Sequence, residues 1–269
     1  MTATGETASG SAAIQGKLWG ARARDFTTLE PKQIPLYESV LDDLAIRSAT
    51  KLLDVGCGPG LFLRLAAQRG AIVSGIDAAA PLIEIARERL PDADLAAGEM
   101  ESLPHPDDSF DVVTGFNSFQ LAADPAHALR EAGRVGRRGA PIVIATSGRP
   151  DRCEAAGYVK SVRALLPPLP GAPGPFALSE PGALEEFTER GGLVPGERRE
   201  VLCVWTFPDE DTMLRALKST DFAVKAIDSA GEQKVDDAIR EAVAPYRSHD
   251  GGYRLENVFT YVVARAAAA

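Results

Sequence analysis

The chain has 269 residues and a net charge of −9, which suits one large α/β domain with a sizeable core and, with no basic cluster beyond Arg137-Arg138 or Arg198-Arg199, favours a small-molecule ligand over nucleic acid. Three widely spaced cysteines, Cys57, Cys153 and Cys203, exclude a disulfide framework and a zinc site and fit a reducing, cytoplasmic setting. No apolar run is long enough to cross a membrane, and the first residues, MTATGETASGSAA, lack the basic and apolar regions of a signal peptide.

Residues 1–13 bury too little apolar surface to offset ordering and are expected to form a disordered tail, followed by a single domain over 14–269. Apolar residues at helical spacing in QIPLYESVLDDLAIR predict a helix over 33–47. KLLDV (51–55) predicts a short buried strand, followed by glycines and a helix over 60–69. AIVSGID (71–77) is a second strand, and Pro81 opens the helix LIEIARERL. A third strand falls near 94–98 and a fourth at FDVVTGF (110–116). Asp124-Pro125 reads as an N-cap and first-turn proline, and PIVIAT (141–146) is a fifth strand. Strands alternating with helices over 51–146 imply a parallel sheet covered on both faces.

Beyond residue 147 the pattern changes. Helices are predicted over 150–166 and 180–192, separated by the Pro/Gly-rich loop LPPLPGAPGPF (166–176). REVLCVWTF (199–207) and YRLENVFTYVVARA (253–266) read as antiparallel neighbours, with helices between them. The segments 147–178 and 208–247 exceed what a sheet needs and are assigned to an α-helical, substrate-covering cap.

LLDVGCGPG (52–60) ends a strand in glycines, which permits a nucleotide to approach the backbone. Two kinds of ligand compete. A dinucleotide would place its pyrophosphate there, and Asp77, about 20 residues after the first glycine, suits a ribose in either case. The spacing is G-x-G-x-G at Gly56, Gly58 and Gly60, with Leu61 where the dinucleotide fingerprint has its third glycine. Asp54 would repel a pyrophosphate and attract an ammonium or sulfonium. Glu99-Met100, in GEMESLP, offers a carboxylate and a backbone N–H to an adenine edge.

Taken in order, LLDVGCGPG, GID, GEMESLP, DSFDVV and REAGRVGRRGAPIVIAT resemble the class I S-adenosylmethionine-dependent methyltransferases, most closely the small-molecule, ubiquinone-biosynthesis-type branch. The resemblance covers roughly 35–147, which would be the cofactor-binding core. It implies a Rossmann-like, seven-stranded sheet of order 3-2-1-4-5-7-6 with the last strand antiparallel. It implies S-adenosyl-L-methionine as cofactor, S-adenosyl-L-homocysteine as product and a small-molecule acceptor. Gly56, Gly58 and Gly60, with Cys57 between them, would line the methionine part and ribose. Asp54 would sit near the amino group, Asp77 on the ribose hydroxyls beside Ala78, and Leu82 on the adenine. Glu99 and Met100 would address the adenine edge, and Phe116 and Asn117 the methionine end. Trp19 and Arg24, in KLWGARARDF, fall where relatives carry a lid, with Arg24 pairing the cofactor carboxylate.

Few residues offer a catalytic base. His105 and His127 read as surface residues. His249, in SHDGGY before the last strand, is the histidine nearest the expected substrate mouth. Where relatives carry histidines after the fourth strand, this chain reads NSFQLAADP, leaving Gln120 to orient a substrate or cap a helix. Tyr253 is a further candidate for substrate contact. No metal is expected, because no Asp-Asp or His-Asp set stands at ligand spacing near that strand; Asp107-Asp108 reads as a solvated turn. The competing functions are a cofactor-bound isomerase or cyclase on the same fold, favoured by the missing base, and an NAD(P)-dependent oxidoreductase.

Overall fold

A computed structural model describes residues 10–167 and 174–266. The chain forms an eight-stranded sheet. The strands are β1 (Lys51–Val55), β2 (Ile72–Asp77), β3 (Asp94–Ala97), β4 (Val112–Phe116), β5 (Ile142–Ser147), β6 (Leu193–Val194), β7 (Arg199–Phe207) and β8 (Tyr253–Ala266). The helices are α1 (Ala12–Gly20), α2 (Ala23–Leu29), α3 (Ile34–Asp43), α4 (Leu61–Gln68), α5 (Ala80–Arg89) and α6 (Pro125–Val135). They continue with α7 (Ala156–Arg163), α8 (Ala183–Arg190), α9 (Glu210–Leu217), α10 (Asp221–Ala230) and α11 (Glu232–Val243).

The sheet runs β3-β2-β1-β4-β5-β8, with β1 to β5 parallel and β8 antiparallel to β5. β7 lies antiparallel along β8, from Arg199 opposite Tyr261 to Phe207 opposite Tyr253. This is the expected seven-strand order, with the two-residue β6 added against the far end of β8. β8 pairs β5 along one edge over Phe259–Ala264 and β7 along the other over Tyr253–Tyr261, and its 14 residues leave room for β6 beyond β7 at Arg265 and Ala266.

Alternation along each strand sends successive side chains to opposite faces. Leu52, Val112 and Val143 join a core with α3 and α4, while Leu53, Val113 and Ile142 join one with α6 and α8. Both faces are therefore covered, as the successive apolar residues Leu52-Leu53 in β1 and Val112-Val113 in β4 require. Asp124 caps α6 as its sequence suggested, accepting from the His127 N–H at 2.9 Å ahead of Pro125.

Two local expectations are revised. The helix expected to reach residue 47 stops at Asp43, because Ala45 takes a positive φ of 46°. The tail expected over 1–13 lies largely outside the described residues, but Ser11 and Ala12 are held in place and open α1. The 166–176 loop is described only at its ends. Helices α7, α9, α10 and α11 pack together through Tyr158, Leu217, Phe222 and Ile239, and the Tyr158 hydroxyl donates to the Leu217 carbonyl at 2.8 Å. α2 packs on α9 and α1 on α10, so the helical layer above the sheet includes the chain's beginning as well as the two later segments. Arg22 ties the two parts together through Glu232, which Lys218 also contacts, each at 2.7 Å.

Candidate active site

Strand order reverses beside β1, where β2 leads away on one side and β4 on the other, opening a crevice at their carboxyl ends. A cavity of about 670 Å³ begins there and runs under the helical layer. Its floor is the loop after β1. Gly56, Gly58 and Gly60 all take positive φ, at 78°, 54° and 81°. At Gly56 the need for glycine is steric as well as conformational, since a Cβ there would stand 2.4 Å from the Ser118 Cβ. The Gly56 and Cys57 N–H groups both donate to the Ile76 carbonyl, at 2.8 and 3.0 Å, which fixes the loop against the end of β2.

Two carboxylates frame this floor. Asp54 is 2% exposed and lines the cavity. Its Oδ1 accepts from the Thr114 hydroxyl at 2.7 Å across the β1–β4 pair. Burial pushes its carboxyl up to about 7, the Thr114 hydrogen bond opposing and the charge of Asp77 adding to the rise. Asp77 is half-buried and accepts two backbone N–H groups at 2.8 Å, Gly58 on Oδ2 and Ala79 on Oδ1. Burial raises its carboxyl too, and those two bonds oppose the rise. Each oxygen keeps a lone pair free, one for each of two vicinal hydroxyls.

A third carboxylate, Glu30, was not singled out by sequence. It is 3% exposed, accepts the Leu61 N–H at 2.9 Å and pairs with Arg89 at 2.6 Å. Burial raises its carboxyl, with Arg89 opposing. It therefore occupies the positive end of α4, where a dinucleotide fold would seat its pyrophosphate. Nothing in TLEPKQIP marks it, because its partners lie about 30 and 60 residues away in the chain.

Most residues expected at the site line the cavity. Cys57, Ala78, Leu82, Met100, Phe116 and Asn117 do so. Phe116 packs edge-on to Tyr37 and tilted against Phe62 with centroids at 4.8 and 4.5 Å, and Asn117, at φ 53°, donates to Gln33 at 3.2 Å. Trp19 lines it from α1, edge-on to Phe26 at 5.4 Å, and Gln120 reaches it from the turn after β4. Glu99 is placed differently. It borders a small adjoining crevice rather than the main cavity, and its carboxylate accepts the Ala12 N–H at 2.8 Å and the Ser11 hydroxyl at 3.2 Å.

Gly60 caps α4 beside Ala86 rather than lining the cavity, and three further candidates do not reach it. Arg24 is exposed and forms a two-pronged pair with Glu88 on α5, at 2.9 and 2.6 Å, because its position on α2 faces outward. His249 is exposed on a turn closed upon itself by the Ser248 N–H to the Gly252 carbonyl at 2.9 Å and the Ser248 hydroxyl to Asp250 at 2.6 Å. Tyr253 is buried with its hydroxyl 3.4 Å from Glu210, away from the cavity.

The cavity fits a nucleoside that carries a cation. The floor is bare backbone, one wall holds a buried carboxylate without a counter-charge, and a second carboxylate has two free lone pairs. The helix end that would attract a diphosphate is already filled by Glu30.

Comparison with known proteins agrees. Residues 53–144 match the family model described as a methyltransferase domain. The chain is 33% identical over 142 residues to the 27-O-demethylrifamycin SV methyltransferase of Amycolatopsis mediterranei (strain S699), covering 48% of this chain and 52% of that protein. It is 33% identical over 121 residues to the ubiquinone biosynthesis O-methyltransferase of Saccharophagus degradans (strain 2-40), covering 43% and 51%. The chain thus spans about half the length of these curated relatives. Among solved structures it resembles the [4+2]-cyclase SpnF, with a TM-score of 0.56 at 21% identity over 87% of this chain and 81% of that one, a likeness of fold. The central residues thus match a methyltransferase domain, and the strands run in the order that the resemblance to S-adenosylmethionine-dependent methyltransferases implies.

Proposed function

We propose that the protein transfers a methyl group from S-adenosyl-L-methionine to a small, largely apolar acceptor, leaving S-adenosyl-L-homocysteine. The observation that carries this reading is Asp54. A carboxylate 2% exposed, raised to about 7 and facing the cavity is costly unless a cation comes to it.

Asp54 would face the ammonium of the cofactor, and Asp77 would accept from both ribose hydroxyls while keeping Gly58 and Ala79 in place. Gly56, Cys57 and Gly58 would lie along the methionine part and ribose, Leu82 and Ala78 against the adenine, and Met100 at its edge, with Gly60 serving to start α4. Phe116 and Asn117 would meet the methionine end. Bound there, the cofactor supplies a methyl group on a sulfonium, an excellent leaving group. The chain's own part is to hold the acceptor atom in line, with reacting atoms roughly 3–3.5 Å apart, and to keep water out. Helices α7 and α10 and the helix α1 would do the latter. Gln120 is the candidate for orienting the acceptor, since it lines the cavity and its Oε1 has no partner among the described residues. Glu99 reads as an adenine contact only if the first turn of α1 gives up its hold on it.

The oxidoreductase alternative is disfavoured by Glu30 and Asp54, which set negative charge where a diphosphate would lie. Calorimetric titration with S-adenosyl-L-homocysteine, S-adenosyl-L-methionine and NAD tests the reading: the first two should bind and NAD should not. Absence of binding by both sulfur nucleosides would end it. Mass analysis of a turned-over acceptor separates methyl transfer, which adds one CH₂, from isomerisation or cyclisation, which adds nothing.

A further inference from the structure

The wall of the cavity formed by β7 and β8 carries two buried hydrogen-bond donors with no acceptor among the described residues. Trp205, on β7, is 9% exposed, and its indole Nε1 has no partner. Asn257, on β8, is 2% exposed; its Oδ1 accepts the Ala155 N–H at 2.9 Å, and its Nδ2 has no partner. The Ala155 bond fixes which way the amide points, because only the oxygen can accept from an N–H. Cys203 pairs with Asn257 and Trp205 with Leu255, so the two donor-bearing side chains leave the same face of the sheet, and both line the cavity. Phe259 flanks Trp205 on that face, with ring centroids 6.4 Å apart.

Buried donors are nearly always satisfied, and leaving one unmade is penalised by the loss of its hydration. Two on one wall, beside Val258 and Phe259, describe what the wall is built to meet. An oxygen acceptor on an apolar body satisfies both donors. A protonated amine satisfies neither, since it has no lone pair to offer. A plain hydrocarbon fills the space and leaves both unpaired.

We infer that Trp205 and Asn257 are a specificity-determining donor pair that anchors a carbonyl or similar uncharged oxygen of an apolar substrate. This inference rests on the methyl-transfer reading for its chemistry and on the donor pair alone for its ligand class. A carbonyl has two lone pairs, so a single oxygen can take both donors, as can two neighbouring oxygens. The pair positions substrate by a group other than the one methylated, which leaves the reacting atom free to face the glycine loop.

The test compares 1-tetralone with tetralin, a ketone and its hydrocarbon counterpart, on the full chain loaded with S-adenosyl-L-homocysteine. The chain has two tryptophans, so the indole N–H region of a ¹⁵N spectrum holds two signals, and Trp205→Phe identifies the one that matters. The ketone should move the Trp205 signal downfield and bind roughly ten-fold more tightly than tetralin, the worth of a satisfied donor pair. Trp205→Phe and Asn257→Asp should each erase most of that preference while leaving tetralin unchanged; the aspartate keeps the oxygen that holds Ala155 and removes the donor. Equal affinity for the two probes, an unmoved Trp205 signal, or failure of both to bind overturns the inference. S-adenosyl-L-homocysteine affinity is measured on the same samples. Its loss in the wild-type chain would sink the methyl-transfer reading, whereas its retention with no ketone preference would sink the donor pair alone.

Discussion

The floor and the far wall of the cavity are polar in opposite ways. Around β1, β2 and β4 the polar groups are carboxylates and backbone N–H groups, and Gly58, Ala79 and Leu61 each donate to a carboxylate 2.8–2.9 Å away. On the wall formed by β7 and β8, two neutral donors, Trp205 Nε1 and Asn257 Nδ2, have no acceptor among the described residues. A floor of this kind suits a ligand of fixed shape and charge, because its acidic groups already sit in a bonded frame. A wall of unpaired donors suits a variable ligand, because the partner brings the acceptor. One half thus reads as the part for a common cofactor, the other as the part that selects a substrate.

The comparison breaks most readily at Gly56. Gly56→Ala places a Cβ against Ser118 at a φ that side chains avoid, and should cost about 3 kcal/mol, a hundred-fold or so in S-adenosyl-L-homocysteine affinity. Calorimetry measures the affinity and urea unfolding confirms that the chain still folds. Asp77→Ala comes next. It removes charge-assisted hydrogen bonds to the ribose and the anchor of Gly58, and should weaken the same ligand by about 1.5–3 kcal/mol. Unchanged affinity in a folded variant would place the ribose elsewhere.

Asp54 gives a smaller effect with a distinctive sign. Its folded carboxyl lies at about 7, above the ordinary 3.8, so its contribution to stability is full in acid and is lost as pH rises through about 7. A bound cation favours the ionised form. Binding of S-adenosyl-L-homocysteine should therefore release a proton below about pH 7 and strengthen by up to roughly ten-fold per pH unit as pH approaches that value. Titrations in two buffers of different ionisation heat count the proton, and Asp54→Asn should abolish both the release and the slope. The smallest effect belongs to His249→Ala. With the imidazole exposed on its own turn, cofactor affinity and turnover should both stay within two-fold of wild type, and a large loss of turnover would restore it as a base.

What sequence made legible follows the same division. The glycine loop, Asp54 and Asp77 are near neighbours in the chain or sit at strand ends, so their spacing carries their geometry. The sheet followed from apolar runs at helix-sized intervals, and β7 and β8 from their lengths and β-branched residues. Glu30 was missed because its partners are brought to it only by α2, α4 and α5 packing together. Arg24 was misplaced because the outward direction of its helix face depends on where α2 docks. Asn257 left one trace, a polar side chain inside the apolar run LENVFTYVV, but its meaning needed β7 and the Ala155 backbone beside it.

The attachment of α1 has a kinetic consequence. Its first turn is held by Glu99, through Ser11 and Ala12, and by Glu101, and its Gln15 and Trp19 form part of the cavity wall. This wall belongs to a nine-residue helix that packs on α5 and α10 and forms no part of the sheet, so its release would leave the strand pairing intact. The dwell time of a spent nucleoside would then be governed by how often that short helix lets go, and product escape rather than bond-making would set the pace of the cycle.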